Sequence, residues 1–333
     1  MYWPGKPWCT KSSFTAEAFG LNDYYIFAES HRMSVLRLRV VIPHFFREGA
    51  NEGGDGYGSG RRGNRLPRCL ALARCLGSVL ALNRAPCDWI LNIAERQMEL
   101  TPASSLVGLT ALQVELHLFV CGDHWLQEVV ELYAPRLQLH RLELEDPRQL
   151  PLAAVRQLLD MSAPADLSLY LEDDLVIQDL RYADKLAWFH QRTDHRFVLM
   201  PHRREPTVAN APQHLYVDGP IKPEGQTQPV WASDEAEVVS GCFWDGQELS
   251  FVNAANPHSG SFCVSAPQLE QLRHAAWPPA EFMGPLETAA TGTVLGQFPV
   301  LKASWACREF LTLEHSNPSF LPLLGQLPPR QVT

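Results

Sequence analysis

Between Asp166 and Asp179 the chain reads DLSLYLEDDLVIQD: an apolar run that ends in three consecutive carboxylates, Glu172, Asp173 and Asp174, and then turns apolar again. Leu167 to Leu171 reads as a strand, in which successive side chains alternate between faces. Glu172 and Asp174 are then expected to point one way and Asp173 the other. Three acids at one strand end repel each other, and burying them unpaired costs several kcal/mol. A bound cation or a set of hydroxyl donors relieves that cost, and oxygen-only ligands suit Mg²⁺ or Mn²⁺. The plain alternative is a solvated strand end, with Asp179 capping a helix over Leu180 to Arg192. Against it stands position: acids at a strand's carboxyl end sit where open α/β sheets bind ligands.

The surrounding pattern predicts such a sheet. Val35 to Phe46 is rich in β-branched residues and apolar at both parities, as a central strand is. Leu66, Leu70, Ala73, Leu76 and Leu80 recur at helical spacing and predict a helix that packs on the sheet. Ala111 to Cys121 alternates as a strand. Helical segments at Trp125 to Tyr133 and Pro151 to Met161 flank a strand at Leu137 to Leu144. Strands alternating with helices imply a mostly parallel sheet. Further on, Phe197 to Met200 and Leu215 to Val217 read as short strands within an aperiodic stretch, 201 to 236, expected to loop over the active face. Asp245-Gly246 between two apolar runs marks a hairpin. Ser265 with Gln268 three residues on makes a capping box. Glu287 to Leu295 reads as a short helix, with Val300 to Ala303 and Phe310 to Leu313 as late strands.

Composition excludes some functions. At 333 residues and 46% hydrophobic content the chain has ample material for a core. A formal charge of -9 argues against a general nucleic-acid or membrane-surface binder. The one basic patch, Arg61, Arg62, Arg65 and Arg68, adjoins a glycine-rich stretch in which Gly58, Gly60 and Gly63 fit G-x-G-x-x-G. A dinucleotide fingerprint turns directly off its strand, and this one lies some ten residues away. It reads as a basic loop near nucleotide phosphates or as a plain loop. Cys69, Cys75, Cys121 and Cys263 lie in apolar periodic segments and read as buried thiols. No apolar run approaches the roughly 18 residues of a spanning helix, so the expectation is a cytoplasmic protein, soluble or peripheral. Residues 1–33 show no period and read as a leader, with Met33 as the alternative start.

LEDDLVIQD followed by RYADKLAWF resembles the DXD region of GT-A glycosyltransferases, and looks most similar to the Glu-Asp-Asp pattern of the N-acetylglucosaminyltransferases that build N-glycans. The resemblance spans about 30 residues. It implies a GT-A-like α/β fold: a mostly parallel central sheet flanked by helices, with residues 34–180 forming the nucleotide-sugar half and residues 181–333 a mixed acceptor-side subdomain. It implies a hexosyl- or N-acetylhexosaminyltransferase that uses Mn²⁺ or Mg²⁺, a nucleotide-diphospho-sugar donor and a carbohydrate or other hydroxyl acceptor, with inversion. By the same resemblance Asp174 coordinates the metal and Glu172 and Asp173 contact sugar or ribose hydroxyls. The base is a downstream carboxylate near a helix start, Glu287 or else Glu281, and His315 is a late metal ligand. At the base position Met283, Gly284 and Pro285 stand where the animal enzymes carry an aromatic-acidic-acidic run.

Other candidates come from the residues alone. Arg61 and Arg62 are placed to meet the donor's phosphates. His258 in NPHSG is a candidate for acceptor contacts, and Trp231, Phe243 and Trp244 offer rings for stacking on a sugar, core packing being their commoner use. Two other classes also put acids at strand ends or keep such a fold. One is a metal-dependent nucleotidyltransferase or phosphohydrolase, and the other a non-catalytic nucleotide-sugar or carbohydrate-binding protein.

Overall fold

The computed structural model describes residues 35–49, 60–103, 109–207, 213–221 and 237–327. Among the described residues fifteen strands run in chain order: β1 Val35–His44, β2 Cys87–Asn92, β3 Gln97–Pro102, β4 Ala111–Cys121, β5 Gln138–Leu142, β6 Leu167–Leu171, β7 Leu175–Val176, β8 Val198–Leu199, β9 His202–Pro206, β10 His214–Tyr216, β11 Glu237–Cys242, β12 Glu248–Asn253, β13 Ser261–Ser265, β14 Val300–Ala303 and β15 Thr312–His315. The principal helices are α1 Arg65–Ala81, α2 Gln127–Tyr133, α3 Leu150–Asp160, α4 Tyr182–Arg192 and α5 Ala266–Arg273. Two units are distinguished: a small one that includes Ala85–Ala111, and a large one of Leu36–Arg84 with Leu112 onward.

The large unit is built on a five-stranded sheet of order β13-β6-β1-β4-β5. β6 runs parallel to β1 and β5 parallel to β4, while β13 is antiparallel to β6. This is the α/β class that the alternating pattern implies. Alternation along each strand sorts the interior into two cores. Leu38, Val40 and Ile42 of β1, with Leu167, Leu169 and Leu171 of β6, join the buried faces of α1 and α4. Val41, Phe119, Tyr170 and Phe262, from the opposite parity, join α3 and α5. Helices therefore cover both faces of the sheet, which is why its central strands read as continuous apolar runs.

Two four-stranded sheets lie on the chain's later half, β10-β9-β15-β7 and β11-β12-β14-β8. The Asp245-Gly246 hairpin forms, with Gly246 at φ +88°, and the capping box closes at Ser265 and Gln268. Several expectations need correction. The helix at 65–81 is present, but Leu66 and Leu70 are 67% and 56% exposed, while Arg68, Leu72, Cys75, Leu76 and Val79 form the buried face. Arg68 is drawn inward by acids, as described below, and this turns the start of the helix. The stretch 201–236 is not all loop, because β9 occupies its beginning. The last predicted strand lies two residues later, at Thr312–His315. Cys75, Cys121 and Cys263 are buried free thiols, but Cys69 is only partly buried. β2, β3 and β13 have no counterpart in the sequence reading. No helix among the described residues is long and apolar enough to cross a membrane.

Candidate active site

β6 ends at Leu171 and the three acids occupy a turn, with the Leu175 N–H donating to the Glu172 carbonyl at 3.2 Å. The turn overrides strand alternation. Asp173 and Asp174 do not point to opposite faces: one guanidinium, that of Arg68, reaches both, through Nη2 to Asp173 at 2.6 Å and through Nη1 to Asp174 at 3.1 Å. On its other side Asp173 meets His44 Nδ1 at 2.5 Å. His44 Nε2 accepts the Leu126 N–H at 3.1 Å, which leaves the ring proton on Nδ1 to donate to Asp173. Burial works to raise the Asp173 carboxyl, yet Arg68 and His44 hold it below its ordinary value. Both its oxygens are engaged from within the protein.

Asp174 faces a different partner. Its Oδ2 lies 3.5 Å from His315 Nε2, and His315 Nδ1 is fixed on Glu205 Oε1 at 2.8 Å. Glu205, fully buried, also accepts the backbone N–H groups of Ser319 at 2.8 Å and Leu321 at 2.9 Å, so it anchors the segment that follows β15. The Ser316 N–H donates to the Asp174 carbonyl at 2.8 Å. Burial opposes charge on both Asp174 and His315. Their mutual attraction wins, with Arg68 assisting Asp174 and Glu205 assisting His315: the aspartate lies well below the usual carboxylate range and the imidazole is raised to about 9.

Glu172 is the acid without a close cation. Burial, with repulsion from Asp174 and Glu287, raises its carboxyl to about 8 despite Arg203 and His315 nearby. It packs on backbone where a side chain is excluded: Gly260 has φ +61°, and a Cβ there would sit 2.6 Å from Glu172 Oε2. Behind it stands a buried ionic layer. Arg203 grips Asp218 Oδ1 through Nε at 3.0 Å and Nη2 at 2.9 Å, and Lys302 Nζ lies 3.2 Å from Asp218 Oδ2. Lys302 also donates to the His258 carbonyl at 2.8 Å. His258 is buried, with Nδ1 3.0 Å from Thr291 Oγ1, and burial together with the Arg203 charge depresses its imidazole to about 3.

Glu287 stands half-buried on the first turn of a helical stretch from Pro285 to Leu295 whose middle, Thr288–Gly292, is wound as a π-helix. Local π-winding is frequent at functional sites. Glu287 lies near enough to raise the Glu172 carboxyl. Glu281 is exposed on the preceding loop. The structure thus gathers Glu172, Asp173, Asp174, His315 and Glu287, with His258 in the wall behind. Arg61 and Arg62 are exposed ahead of α1, while Arg68 touches the acids in their place. Trp244 is half-exposed and stacks on Phe243 at 4.1 Å, and Phe243 itself is buried core. Trp231 and Gly58 lie outside the described residues.

Arg203, Glu205, Asp218 and Lys302 are absent from the sequence reading, which holds Arg68 only as part of the basic patch. For Arg203 and Glu205 a signal existed: two residues apart on one strand, they share a face. As to a metal, no three or more His, Cys, Asp or Glu side chains converge into a cage among the described residues. The residues present nonetheless fit a cation that keeps open positions. A carboxylate oxygen and an imidazole nitrogen face each other at 3.5 Å, and the far ring nitrogen is oriented by a carboxylate, the arrangement common behind metal-bound histidines.

No protein-family model matches the sequence, and no curated protein does. Among solved structures the chain is similar to S. aureus TarS residues 1–349 in complex with UDP (15% identity, 54% of this chain and 38% of that one, TM-score 0.29). It is similar to the same protein in complex with UDP-GlcNAc (16% identity, 54% and 37%, TM-score 0.28). It is also similar to GalNAc-T7 with UDP, GalNAc and Mn²⁺ (12% identity, 84% and 43%, TM-score 0.42). The chain spans less than half the length of each.

Proposed function

We propose that the chain is a GT-A-type glycosyltransferase that moves a sugar from a nucleotide-diphospho-sugar to an acceptor hydroxyl with inversion. The observation that carries this reading is the line Asp174–His315–Glu205 at the carboxyl end of β6, with the acids Glu172 and Glu287 beside it. Asp174 Oδ2 and His315 Nε2 would hold Mn²⁺ or Mg²⁺, and substrate phosphates, which commonly complete such sites, would supply further ligands. The cation, when bound, neutralises charge on the diphosphate leaving group.

The chain's own residues do the rest. Glu205 holds the His315 ring so that Nε2 faces Asp174. Because His315 titrates near 9, it must release a proton to act as a ligand, and cation affinity rises with pH. Glu172, with its carboxyl at about 8, is largely protonated at neutral pH and donates a hydrogen bond to a donor hydroxyl. Asp173, clamped by Arg68 and His44, fixes the turn and lies toward the donor's sugar or ribose. Glu287 takes the proton from the acceptor hydroxyl as positive charge develops at the sugar carbon. Arg61 and Arg62 steer the diphosphate, Trp244 and His258 belong to the acceptor side, and Glu281 is the reserve base. Residues 34–180 make the donor half and 181–333 the acceptor half.

Two substitutions separate the roles. Asp174→Asn keeps shape but loses a charged ligand, so metal-dependent binding of the donor collapses. Glu287→Gln keeps donor binding and lowers turnover by roughly 10² or more. A thermal-shift panel of nucleoside diphosphates and their sugars, with and without Mn²⁺, selects the donor. Calorimetric titration into both variants then measures binding beside donor consumption. Equal loss of binding in both would place Glu287 in the donor site. Undiminished turnover in Glu287→Gln would remove it as the base, and donor hydrolysis with no acceptor product would favour a phosphohydrolase.

A further inference from the structure

The small unit carries an antiparallel hairpin, β2 and β3, joined by a turn at residues 93–96. Its register places Trp89 opposite Leu100 and Leu91 opposite Met98, and puts Asp88 opposite Thr101, Ile90 opposite Glu99 and Asn92 opposite Gln97 on the other face. One face is therefore apolar and the other mainly polar. The apolar face is open: Trp89 is 52% exposed, Leu91 60% and Met98 52%, with Ile93 at the turn 79% exposed. Among the described residues each strand of this sheet pairs only with the other. A two-stranded hairpin is marginal by itself and gains stability when its apolar face is covered.

We propose that this face docks on the same face of a second copy of the chain across a two-fold axis, making a two-layer β-sandwich of two strands from each copy. Three features select a second copy. The first is composition: the pairs Trp89–Leu100 and Leu91–Met98 make a face without a charged side chain, so two copies meeting across a two-fold axis bring no charges together there. The second is area. Trp89, Leu91, Met98 and, at the turn, Ile93, each half exposed or more, present on the order of 500 Å², at the top of what a monomer's largest patch spans. Pairing two such faces buries on the order of 1,000 Å², where specific interfaces begin. The third is charge. Asp88 and Glu99 lie on the polar face, and Glu95 beside Arg96 on the turn, so face-to-face packing leaves the strand acids of both copies in water. An anionic lipid surface, by contrast, would meet a hairpin with three acids and one base on a chain of net charge -9.

The test is sedimentation velocity of the full chain from about 1 to 100 μM, with hydrogen–deuterium exchange of the unmodified protein at both ends of that range. A reversible dimer is expected, with amides of 87–102 gaining protection as it forms. Leu91→Asp and Met98→Asp each weaken self-association by roughly 10²-fold or more, because every substitution enters the interface twice. Glu99→Gln, on the opposite face, leaves it unchanged. A urea midpoint equal to the parent's shows that a variant is folded. The proposal is overturned by a chain that stays monomeric throughout, by a dimer that survives Leu91→Asp in a folded variant, or by protection that appears elsewhere while the hairpin is unaffected. Partition of the monomer onto phosphatidylcholine vesicles through this face would also overturn it and make the occupant a neutral lipid surface.

Discussion

Replacing Arg68 by Met tests how the acids are kept together. The guanidinium is 5% exposed and its partners Asp173 and Asp174 are 12% and 13% exposed, so solvent screens these pairs little. Removing one partner of a buried ion pair costs about 3 to 5 kcal/mol, since a charge is left without compensation. His44 still donates to Asp173 and His315 still faces Asp174, which places Arg68→Met near the lower end, about 3 kcal/mol. For a chain of this size that lowers the thermal midpoint by roughly 4 to 5 °C in the presence of a chelator. The same substitution strips two carboxylates of their cation, so a divalent ion becomes the natural replacement. At a hundredfold excess over its dissociation constant, a ligand that binds only the folded state contributes about 2.7 kcal/mol. Millimolar Mn²⁺ therefore recovers most of the deficit, and adding Asp174→Asn to Arg68→Met abolishes the recovery. Urea denaturation followed by circular dichroism, with chelator and with Mn²⁺, measures both quantities. A loss under about 1 kcal/mol, or a midpoint indifferent to Mn²⁺, would refute the view that Arg68 stands in for a cation.

Buried histidines set an acid limit. Burial lowers His190 and His202 to about 4 and His258 to about 3, so the unfolded chain, near 6.5, binds protons that the folded one refuses. The stability these neutral rings confer is fully present above about 6.5 and is lost as pH falls toward 4, so the urea midpoint declines between pH 7 and 5; a flat profile there contradicts the assignment. Gly260→Ala forces a Cβ to 2.6 Å from Glu172 Oε2 and 2.9 Å from Leu175 Cδ1 at a left-handed φ, so it destabilises by about 1 to 3 kcal/mol and weakens donor binding. Unaltered stability and binding would show that Glu172 has room to move. Arg61→Ala with Arg62→Ala weakens nucleotide affinity at low salt and less at high salt; equal affinity at low salt leaves that loop without a role in steering.

What the sequence disclosed and what it hid divide along physical lines. β4 matches its expected limits, and the Asp-Gly hairpin and the Ser265–Gln268 box form, because each is decided by residues close in sequence. The acids were conspicuous for the same reason, three charges after an apolar run. Their partners were not, because Arg68 lies 105 residues before Asp173, His44 lies 129 before it, and Glu205 is 110 from His315. Apolar periodicity also fails where the inward residue is charged. Arg68 sits on the buried face of α1, and Arg203 and Glu205 point inward from β9, so a true helix face was misplaced and a true strand passed as loop. The β2–β3 hairpin escaped because its turn, Ile93 to Arg96, holds no glycine, proline or asparagine to announce it.

β15 occupies an interior place in its sheet, between β9 and β7, although it comes near the end of the chain. During synthesis β7 has no partner in this sheet, and β9 has only β10, until Thr312–His315 has emerged. Until then Asp174 lacks His315, and Glu205 lacks both the imidazole and the backbone N–H groups of Ser319 to Leu321. Contacts between such distant segments form late. The nascent chain can therefore fold its first strands and helices early while its cluster of acids stays incomplete, and the cluster gains its histidine only with β15.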